Sequence, residues 1–402
     1  MNVLMVSPHF PPNFYQFSAA LRRTGANVCG IADAPYDELR SELQAALTEY
    51  YRVPDALDYD QLLRGVAYLT FRHGKMDWLE SHNEFWLETD ARLRTDFNIP
   101  GTRSDQIMDM KAKSRMKARF IEAGVPVARG RVVRTLDEAR LLIAETGYPV
   151  VAKPDIGVGA AHTYRINDDA ELTRFFEAKP PIDYIMEEFI SGVIYSFDGL
   201  ADREGNPVFF TSHVFSQGIM ETVNEDQDLY YHSLREIPAD LEDAGRRTLA
   251  AFDVRARFFH LEFFRTHRDG RHGDGRHDDG RHRDDRIVAL EVNLRPPGGP
   301  TMDMFNYANE ADLYQEWANV VTGGPVRTSY DRPYFCGFAG RKPWRAYRRS
   351  HDEIMAAFGP LIVHFEHMSP AFHRVLGDAA YVMRSPELDE IKAVIRYVLE
   401  PA

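Results

Sequence analysis

The chain has 402 residues, of which 44% are hydrophobic and 27% charged, and its formal net charge at neutral pH is −13. This length allows about two or three domains with substantial cores. The acidic balance argues against a broad nucleic-acid-binding surface, because such a surface needs an excess of basic residues. The two cysteines, Cys29 and Cys336, lie far apart in sequence and form neither a disulfide framework nor a zinc pattern.

The N-terminus reads Met-Asn-Val-Leu-Met-Val and lacks the basic start and the long apolar run of a secretory signal. No stretch approaches the roughly 20 apolar residues of a membrane span. We therefore expect a soluble, cytoplasmic protein with reduced cysteines and with neither a membrane nor a nucleic-acid partner.

Residues 1–103 are predicted to form an α/β domain. Val3–Val6 and Val28–Ala32 are short apolar runs typical of strands, and a helical stretch from Phe17 to Arg23 lies between them. This β-α-β order is Rossmann-like. The turn after the first strand reads Ser-Pro-His-Phe-Pro-Pro-Asn, so the Gly-rich dinucleotide fingerprint is missing and no Rossmann ligand is expected there.

A basic helix is predicted next, capped by Ser104 or Asp105, running to Ala123 and ended by Gly124. A solvated face is the ordinary interpretation of its charged side chains, and we expect it for most of them. They are Lys111, Lys113, Arg115, Lys117 and Arg119.

A buried strand is predicted over Val150–Pro154, and it carries one lysine, Lys153. Lysine is rarely buried without an anionic partner. The loop that follows contains the small residues Gly157, Gly159 and Ala160, and its backbone N–H groups could approach a phosphate closely. An ordinary Gly-rich hairpin is the alternative, and the P-loop sequence occurs nowhere in the chain.

The run Tyr184–Ile190 is typical of a strand that enters a turn, with Glu187 and Glu188 near its end. Acids and free backbone groups at such a strand end could hydrogen-bond the edge of an adenine ring, which needs a donor and an acceptor. An ordinary strand end explains the sequence equally well. Tyr195–Leu200 and Pro207–Thr211 then predict a β-hairpin.

Glu262 and Glu291 each lie in a short, otherwise apolar run that is typical of a strand. Because side chains alternate along a strand, Glu291, Asn293 and Arg295 project from one face. Two carboxylates and an amide oxygen form the hard oxygen site that Mg²⁺ prefers, and Arg295 could bind phosphate or carboxylate bidentately. A polar strand face that merely pairs with its neighbour is the alternative.

The segment 266–286 between these two strands repeats a five-residue unit rich in Asp, Gly, Arg and His. Evenly spaced histidines suggest metal binding, but each unit contains glycine and offers no apolar side chain for packing. We therefore interpret the segment as a disordered, expanded hairpin tip. Its regularly spaced histidines are His267, His272, His277 and His282.

A helix over Asn306–Val321 and a smaller β-rich subdomain over 326–402, covering the cleft, complete the prediction. The subdomain is expected to contain strands and a closing helix at Tyr334–Ala339, Leu361–Phe365, Ala379–Met383 and Ile391–Leu399. Four polar side chains are candidates for a substrate pocket, although a structural role is favoured for each. They are His213, Tyr230, Tyr231 and Arg341.

In their order along the chain, these motifs resemble those of the ATP-grasp superfamily, in particular its carboxylate–amine ligases and biotin-carboxylase-like members. The sequence has a lysine eleven residues before Gly124-Val-Pro, then Val-Val-Ala-Lys-Pro with a small-residue loop, then Glu-Glu-Phe-Ile-Ser-Gly, and finally Glu-Val-Asn-Leu-Arg. The resemblance covers about residues 100–300 strongly and the N-terminal domain more loosely. It implies an α/β (α+β) ATP-grasp fold, with the ATP-grasp domain at 104–325 and its lid at about 125–190.

The resemblance also implies which residues bind Mg-ATP. Those on the nucleotide are Lys113 and Lys153 at the α- and β-phosphates, Gly157, Gly159 and Ala160 in a mobile loop, and Glu187, Glu188 and the backbone of Phe189 or Ile190 at adenine. The spacing to Gly124 favours Lys113 over Lys111. Those on the metal and the reacting group are Glu262, Glu291 and Asn293 as ligands of Mg²⁺ or Mn²⁺, and Arg295, together with Lys153, facing the transferred phosphoryl group.

The implied activity is ATP-dependent ligation of a small carboxylic acid to an amine, amino acids among them, through an acyl phosphate with release of ADP and phosphate. One departure is Ile194, which stands where relatives carry an acid for the ribose. A bicarbonate-activating enzyme similar to biotin carboxylase or carbamoyl phosphate synthase is the first alternative. A nucleotide-binding regulator without turnover is the second. A homodimer is an expected assembly, because dimers are common among relatives.

Overall fold

The computed structural model describes residues 1–157, 162–218, 222, 225–266 and 286–402. The predicted loop residues Gly159 and Ala160 and the histidine-rich part of the segment 266–286 lie outside the described residues. Within the described part of the chain, no helix is both long and apolar enough to cross a membrane.

A four-stranded parallel sheet forms the N-terminal part, in the order β3-β2-β1-β4. The first two strands are buried because they are almost wholly apolar, as the predicted β-α-β start requires. Its strands are β1 (Asn2–Val6), β2 (Asn27–Ala32), β3 (Glu49–Arg52) and β4 (Trp78–Glu80). Its helices are α1 (Tyr15–Arg23), α2 (Ser41–Ala46), α3 (Tyr59–His73) and α4 (Leu87–Asp96).

The basic segment that follows forms two helices, α5 (Met108–Lys111) and α6 (Lys113–Glu122). The single helix predicted from Ser104 or Asp105 is therefore wrong. Ala112 between them is extended and forms a β-bridge with Ile156. This tertiary pairing outweighs the helix propensity of the local sequence.

A second four-stranded sheet, antiparallel and in the order β5-β8-β6-β7, lies in the segment that is predicted from the sequence to be the lid. Two helices cover it, and the capping box of Thr135 and Glu138 starts the first of them. The strands are β5 (Gly130–Val133), β6 (Val150–Pro154), β7 (Tyr164–Ile166) and β8 (Tyr184–Glu188). The helices are α7 (Leu136–Thr146) and α8 (Asp169–Ala178).

The largest sheet runs in the order β14-β13-β9-β11-β12-β15-β17-β16, with β10 paired to β9. Because β12 pairs with β15, the strands of residues 326–402 extend this sheet. The strands are β9 (Gly192–Ala201), β10 (Pro207–Thr211), β11 (His213–Phe215), β12 (Tyr230–Ser233), β13 (Phe258–Thr266), β14 (Ile287–Asn293), β15 (Phe335–Arg341), β16 (Ile362–His367) and β17 (Ala379–Ser385).

Six further helices in the described chain pack against this sheet and around it. They are α9 (Ala239–Ala251), α10 (Thr301–Asn309), α11 (Leu313–Thr322), α12 (His351–Phe358), α13 (His373–Leu376) and α14 (Leu388–Val398). The one helix predicted over Asn306–Val321 is wrong. Glu310 takes a left-handed conformation that ends α10, and the Asp312 side chain caps the start of α11.

The two faces of β9 and β13 differ sharply. One face presents Phe197, Phe259, Leu261 and Phe263 to an apolar core shared with α6 and α9. The opposite face is polar in its middle, where it carries Ser196, Asp198, His260 and Glu262. This polar face positions the candidate site.

Four buried charged side chains join the N-terminal sheet to the start of β13. Glu80, at the end of β4, accepts from Arg94 at 3.3 Å and from Arg257 at 3.2 Å. Asp90 lies 4.0 Å from Arg94 and accepts a hydrogen bond from Ser81. Burial opposes ionisation of Glu80, but Arg257 and Arg94 lower its pKa to about 2, whereas burial raises the pKa of Asp90 to about 7 despite Arg94. Two guanidinium groups at the junction therefore stabilise one ionised acid, and the second acid is partly protonated at neutral pH.

Candidate active site

Two glutamates face each other across the β13–β14 hairpin. Glu262 pairs in register with Glu291, and His260 pairs with Asn293. Residues in register on paired strands project from the same face, so all four side chains share the polar face. Like charges directly opposite each other are unfavourable, and this pair therefore requires positive charge nearby.

Lys113 supplies part of that charge. Its Nζ lies 3.3 Å from Glu291 Oε1 and donates to the carbonyl oxygen of Gly157 at 3.2 Å. Lys111 lies on the other side of the helix break and pairs instead with Glu88 at 3.1 Å. Of the two lysines considered from the sequence, Lys113 is the one that faces the carboxylate pair.

Asp155, which directly follows β6, caps the start of α6 and thereby positions Lys113. Asp155 accepts from the backbone N–H of Ser114 at 2.7 Å and from its hydroxyl at 2.9 Å. The Asp155 carbonyl also accepts from the N–H of Lys113 at 2.8 Å. Since the first N–H groups of a helix have no partner within it, Asp155 provides the cap that Ala112 lacks.

Two lysines hold one buried glutamate at the lid. Glu187 lies 2.8 Å from Lys153 and 2.6 Å from Lys117. Burial opposes ionisation of the carboxyl, but the two ammonium groups outweigh it and lower the pKa of Glu187 to about 2. Burial also favours the neutral amine of Lys153, yet Glu187 holds the pKa of Lys153 above its ordinary value. Glu187 and Lys153 are therefore both charged at neutral pH.

Lys117 was assigned from the sequence to the solvated face of the helix, whereas its side chain is largely buried. It also donates to the carbonyl oxygen of Ala128. The signal for its placement was available, because residues four apart on a helix share a face and Lys113 lies four residues earlier.

Glu187 and Glu188 project from opposite faces of β8, as alternation requires. Glu188 pairs with Arg129 at 2.6 Å. The backbone N–H of Phe189 donates to the Pro149 carbonyl at 3.2 Å. The structure thus brings Glu187 to Lys153 but separates Glu188 from that group.

An apolar cluster lies where the lid joins the central sheet. Ala128, Ile190 and Val288 are buried together, and Phe264 packs against them. Ile194, the residue that departs from the family pattern, pairs in register with Phe264 and is buried.

Arg295 connects the site to the N-terminal domain. Its Nε donates to Glu84 Oε2 at 3.1 Å, and its Nη2 donates to Asn293 Oδ1 at 3.4 Å. Glu84 follows β4 by a few residues, and the preceding His82 has a left-handed φ of 59°. No sequence pattern indicates the Glu84 contact, because it depends on how residues about two hundred positions apart meet in the fold.

A buried polar network continues the site across β9. Asp198 contacts His260 Nδ1 at 2.5 Å and His213 Nδ1 at 2.8 Å. Burial opposes the charged forms of Asp198 and His260. His260 and His213 nevertheless lower the pKa of Asp198 to about 2. Asp198 and Glu262 in turn raise the pKa of His260 to about 10. The sequence-based reading identified neither Asp198 nor His260.

The four side chains considered for a substrate pocket are placed differently from one another. His213 and Tyr231 are buried, and the Tyr231 hydroxyl bonds Thr301 at 2.8 Å. Arg341 is buried and donates to two backbone carbonyls. Tyr230 alone among these four is exposed.

The oxygen donors near Glu262 and Glu291 suit a hard cation. Among the described residues, no group of three or more His, Cys, Asp and Glu side chains is arranged to hold a metal ion. The donor set consists of two carboxylates and the Asn293 amide oxygen. Mg²⁺ is commonly bound by one or two carboxylates together with substrate phosphates and waters, so this set fits Mg²⁺ when a polyphosphate supplies the rest.

The chain is similar to known proteins both in sequence and in structure. No family model matches the chain. An L-arginine-specific L-amino acid ligase from Bacillus subtilis is 22% identical over 232 residues, covering 54% of this chain and 54% of that protein. The chain therefore spans about half the length of this relative.

Solved structures extend the similarity to nearly the whole chain. The L-amino acid ligase from Bacillus licheniformis superposes with a TM-score of 0.72 at 14% identity, covering 98% of this chain and 96% of that one. The biotin carboxylase domain of Hydrogenobacter thermophilus 2-oxoglutarate carboxylase gives a TM-score of 0.69 at 17% identity, covering 98% and 88%. The chain has the ATP-grasp fold. The resemblance carried by its motifs is thereby confirmed at the level of the fold.

Proposed function

We propose that the chain is an ATP-dependent carboxylate–amine ligase that forms an amide bond. The arrangement that carries this proposal is the contact of Lys113 with Glu291. Lys153 is close enough to interact with the charges of Glu262 and Glu291, and Arg295 contacts Asn293. Three cations and two acids in one cleft match the charges of a polyphosphate, its metal ion and a carboxylate substrate. The fold and the named relatives support the same class.

The nucleotide would lie between the lid, at about 125–190, and the central sheet of the domain 104–325. Lys113 and Lys153 would meet its phosphates, and the apolar cluster of Ala128, Ile190, Val288 and Phe264 would take the adenine ring. Glu187 and Lys117 offer an acceptor and a donor at the edge of this cluster. Gly157 begins the loop proposed to cover the phosphates, while Gly159 and Ala160 lie outside the described residues.

Glu262, Glu291 and Asn293 would hold Mg²⁺, with Mn²⁺ as an alternative. The ion, when bound, neutralises charge on the β- and γ-phosphates. In this structure the Lys113 ammonium group lies 3.3 Å from Glu291. It supplies part of the positive charge that the paired carboxylates of Glu262 and Glu291 require. The biotin carboxylase neighbour was solved with the magnesium salt of ADP, which supports this assignment.

The reaction we propose has two transfers. A substrate carboxylate oxygen attacks the γ-phosphorus, the bond to the ADP oxygen breaks, and an acyl phosphate forms. The amine nitrogen then attacks the acyl carbon, the carbon–oxygen bond to phosphate breaks, and the amine loses a proton. Lys153 and Arg295 would offset the charge as an anion approaches a polyphosphate, and the closed lid would exclude water.

Amino acids are the proposed substrates, because both L-amino acid ligases named above are similar to this chain. A second candidate function is bicarbonate activation, since the biotin carboxylase neighbour was solved with bicarbonate. That neighbour is also described as a dimer, and a homodimer is part of our proposal. Sedimentation of the purified chain measures its assembly directly.

The test is ADP release from Mg-ATP with L-arginine paired in turn with each other amino acid, and with bicarbonate in a separate arm. We expect ADP only when an acid and an amine are both present, with a product whose mass equals their sum less one water. ADP that needs bicarbonate alone would favour the second candidate. Glu291→Gln is the control, because it keeps the shape of the site and removes one charge from the proposed metal set.

A further inference from the structure

A series of buried polar contacts connects the middle of the central sheet to Glu262. Asp198 on β9 is fully buried and is contacted by three groups. One is the Ser196 hydroxyl at 2.5 Å, and the others are His213 at 2.8 Å and His260 at 2.5 Å. Ser196 and His213 share Oδ2 of the aspartate, whereas His260 takes Oδ1.

Of these three groups, His260 also contacts the carboxylate pair. Its Nδ1 meets Asp198, and its Nε2 lies 3.1 Å from Glu262 Oε1. The backbone dictates the arrangement, because His260 pairs in register with Asp198 and Glu262 with Ser196 on the neighbouring strand. The imidazole is buried and has a fixed partner at each nitrogen, so its orientation is set.

We propose that His260, held by Asp198, is a positioning residue that orients the Glu262 carboxylate for the cation. The inference rests on the proposed role of Glu262 as a ligand of Mg²⁺. Glutamate has three side-chain torsions, and the contact of its Oε1 with His260 restricts them, on the face that Glu262 shares with Glu291 and Asn293. Ligating carboxylates are commonly oriented by such outer hydrogen bonds, and their loss weakens metal affinity by about 10–100-fold.

The chain offers a matched control in His213. Its imidazole is as deeply buried as that of His260 and contacts the same aspartate, but it has no contact with Glu262 among the described residues. A defect caused by general loosening of the network would affect the two histidine variants alike. A positioning role for His260 predicts a defect in only one of them.

The experiment titrates Mn²⁺ into the protein saturated with ADP and follows free Mn²⁺ by electron paramagnetic resonance. We expect His260→Asn to bind Mn²⁺ about 10–100-fold more weakly, and His213→Asn to stay within about threefold of the parent chain. ADP affinity measured in EDTA should be the same in both variants. Equal Mn²⁺ affinity in His260→Asn and the parent, or equal losses in the two variants, would overturn the inference.

Two further variants separate the possible failures. Glu262→Gln tests the metal site itself, and an unchanged Mn²⁺ affinity there would refute the proposed metal set. A loss in Glu262→Gln without a loss in His260→Asn would refute only the positioning role. If His260→Asn does not fold, Asp198→Asn decides the question with the same expected loss, because it keeps the side-chain volume and removes the charge that holds His260.

Discussion

Lys111 and Lys113 differ by two positions in sequence, and the structure gives them opposite surroundings. Lys113 is mostly buried against Glu291 and Gly157, while Lys111 reaches an exposed acid outside the cleft. A pair of identical substitutions therefore separates a site effect from a general loss of positive charge.

We expect Lys113→Met to lower kcat/KM for ATP by about 10²-fold, the usual effect of removing one fixed donor to developing charge. Lys111→Met should stay within about twofold in kcat/KM, because Lys111 pairs with Glu88 and not with the carboxylates of the proposed metal site. Steady-state ADP release at varied ATP measures both variants. Comparable losses in the two would show that the helix break does not distinguish their roles.

Glu187 makes a pH-dependent contribution to stability with a definite sign. Its pKa is lowered to about 2 in the folded chain, whereas an unfolded glutamate titrates near pH ~4.3. The folded state therefore binds fewer protons, and the stabilisation is present above pH ~4.3 and is lost as the pH falls towards 2. Urea unfolding between these limits should show a shallower pH dependence in Glu187→Gln than in the parent chain. Parallel curves would contradict the assigned pKa.

At the scale of elements, the α5–α6 break depends on a cap supplied by another strand. Asp155→Ala removes the acceptor for two Ser114 donors and should destabilise the protein by about 0.5–2 kcal/mol, the range for a lost helix cap. It should also raise the KM for ATP, because Lys113 is the first residue of the helix. Asp155→Asn keeps an oxygen acceptor and should recover most of the stability. Denaturant titration with parallel kinetics checks both effects.

The same elements show which features of the structure can be predicted from the sequence and which cannot. Glu262 and Glu291 could be placed together because each sits in an apolar strand and strands alternate with a period of two. The break at Ala112 could not be predicted, since the local sequence favours helix and the bridge to Ile156 forms only in the folded chain. The burial of Lys117 was missed for a related reason, because its partner Glu187 lies about seventy residues further along the sequence.

Roles of single residues in the site remain predictions that the experiments above address. The sequence identified the members of the carboxylate pair and Arg295, but it did not indicate their partners. Glu84, Asp198 and His260 belong to three separate segments, and no local pattern links them. Such contacts depend on how sheets pair and domains meet, which alternation and spacing do not encode.

On the scale of the whole molecule, the buried cluster of Glu80, Asp90, Arg94 and Arg257 joins the N-terminal domain to β13. Arg257→Met should destabilise the chain by about 3–5 kcal/mol, because removing one partner leaves a buried charge uncompensated. Arg255→Met, two residues earlier and exposed, is the matched control and should cost less than about 1 kcal/mol. Urea unfolding of the two variants measures the difference, and equal midpoints would contradict the importance of the junction.

The pairing of β12 with β15 has a consequence for how the chain is synthesised. The strands that carry Glu262 and Glu291 leave the ribosome well before β15, so the sheet retains an open edge at Tyr230–Ser233 until β15 is made. Unpaired strand edges recruit strands from other molecules. Nascent chains and truncated products ending before residue 335 are therefore the species most exposed to aggregation, and chaperone demand during expression should be concentrated in that interval.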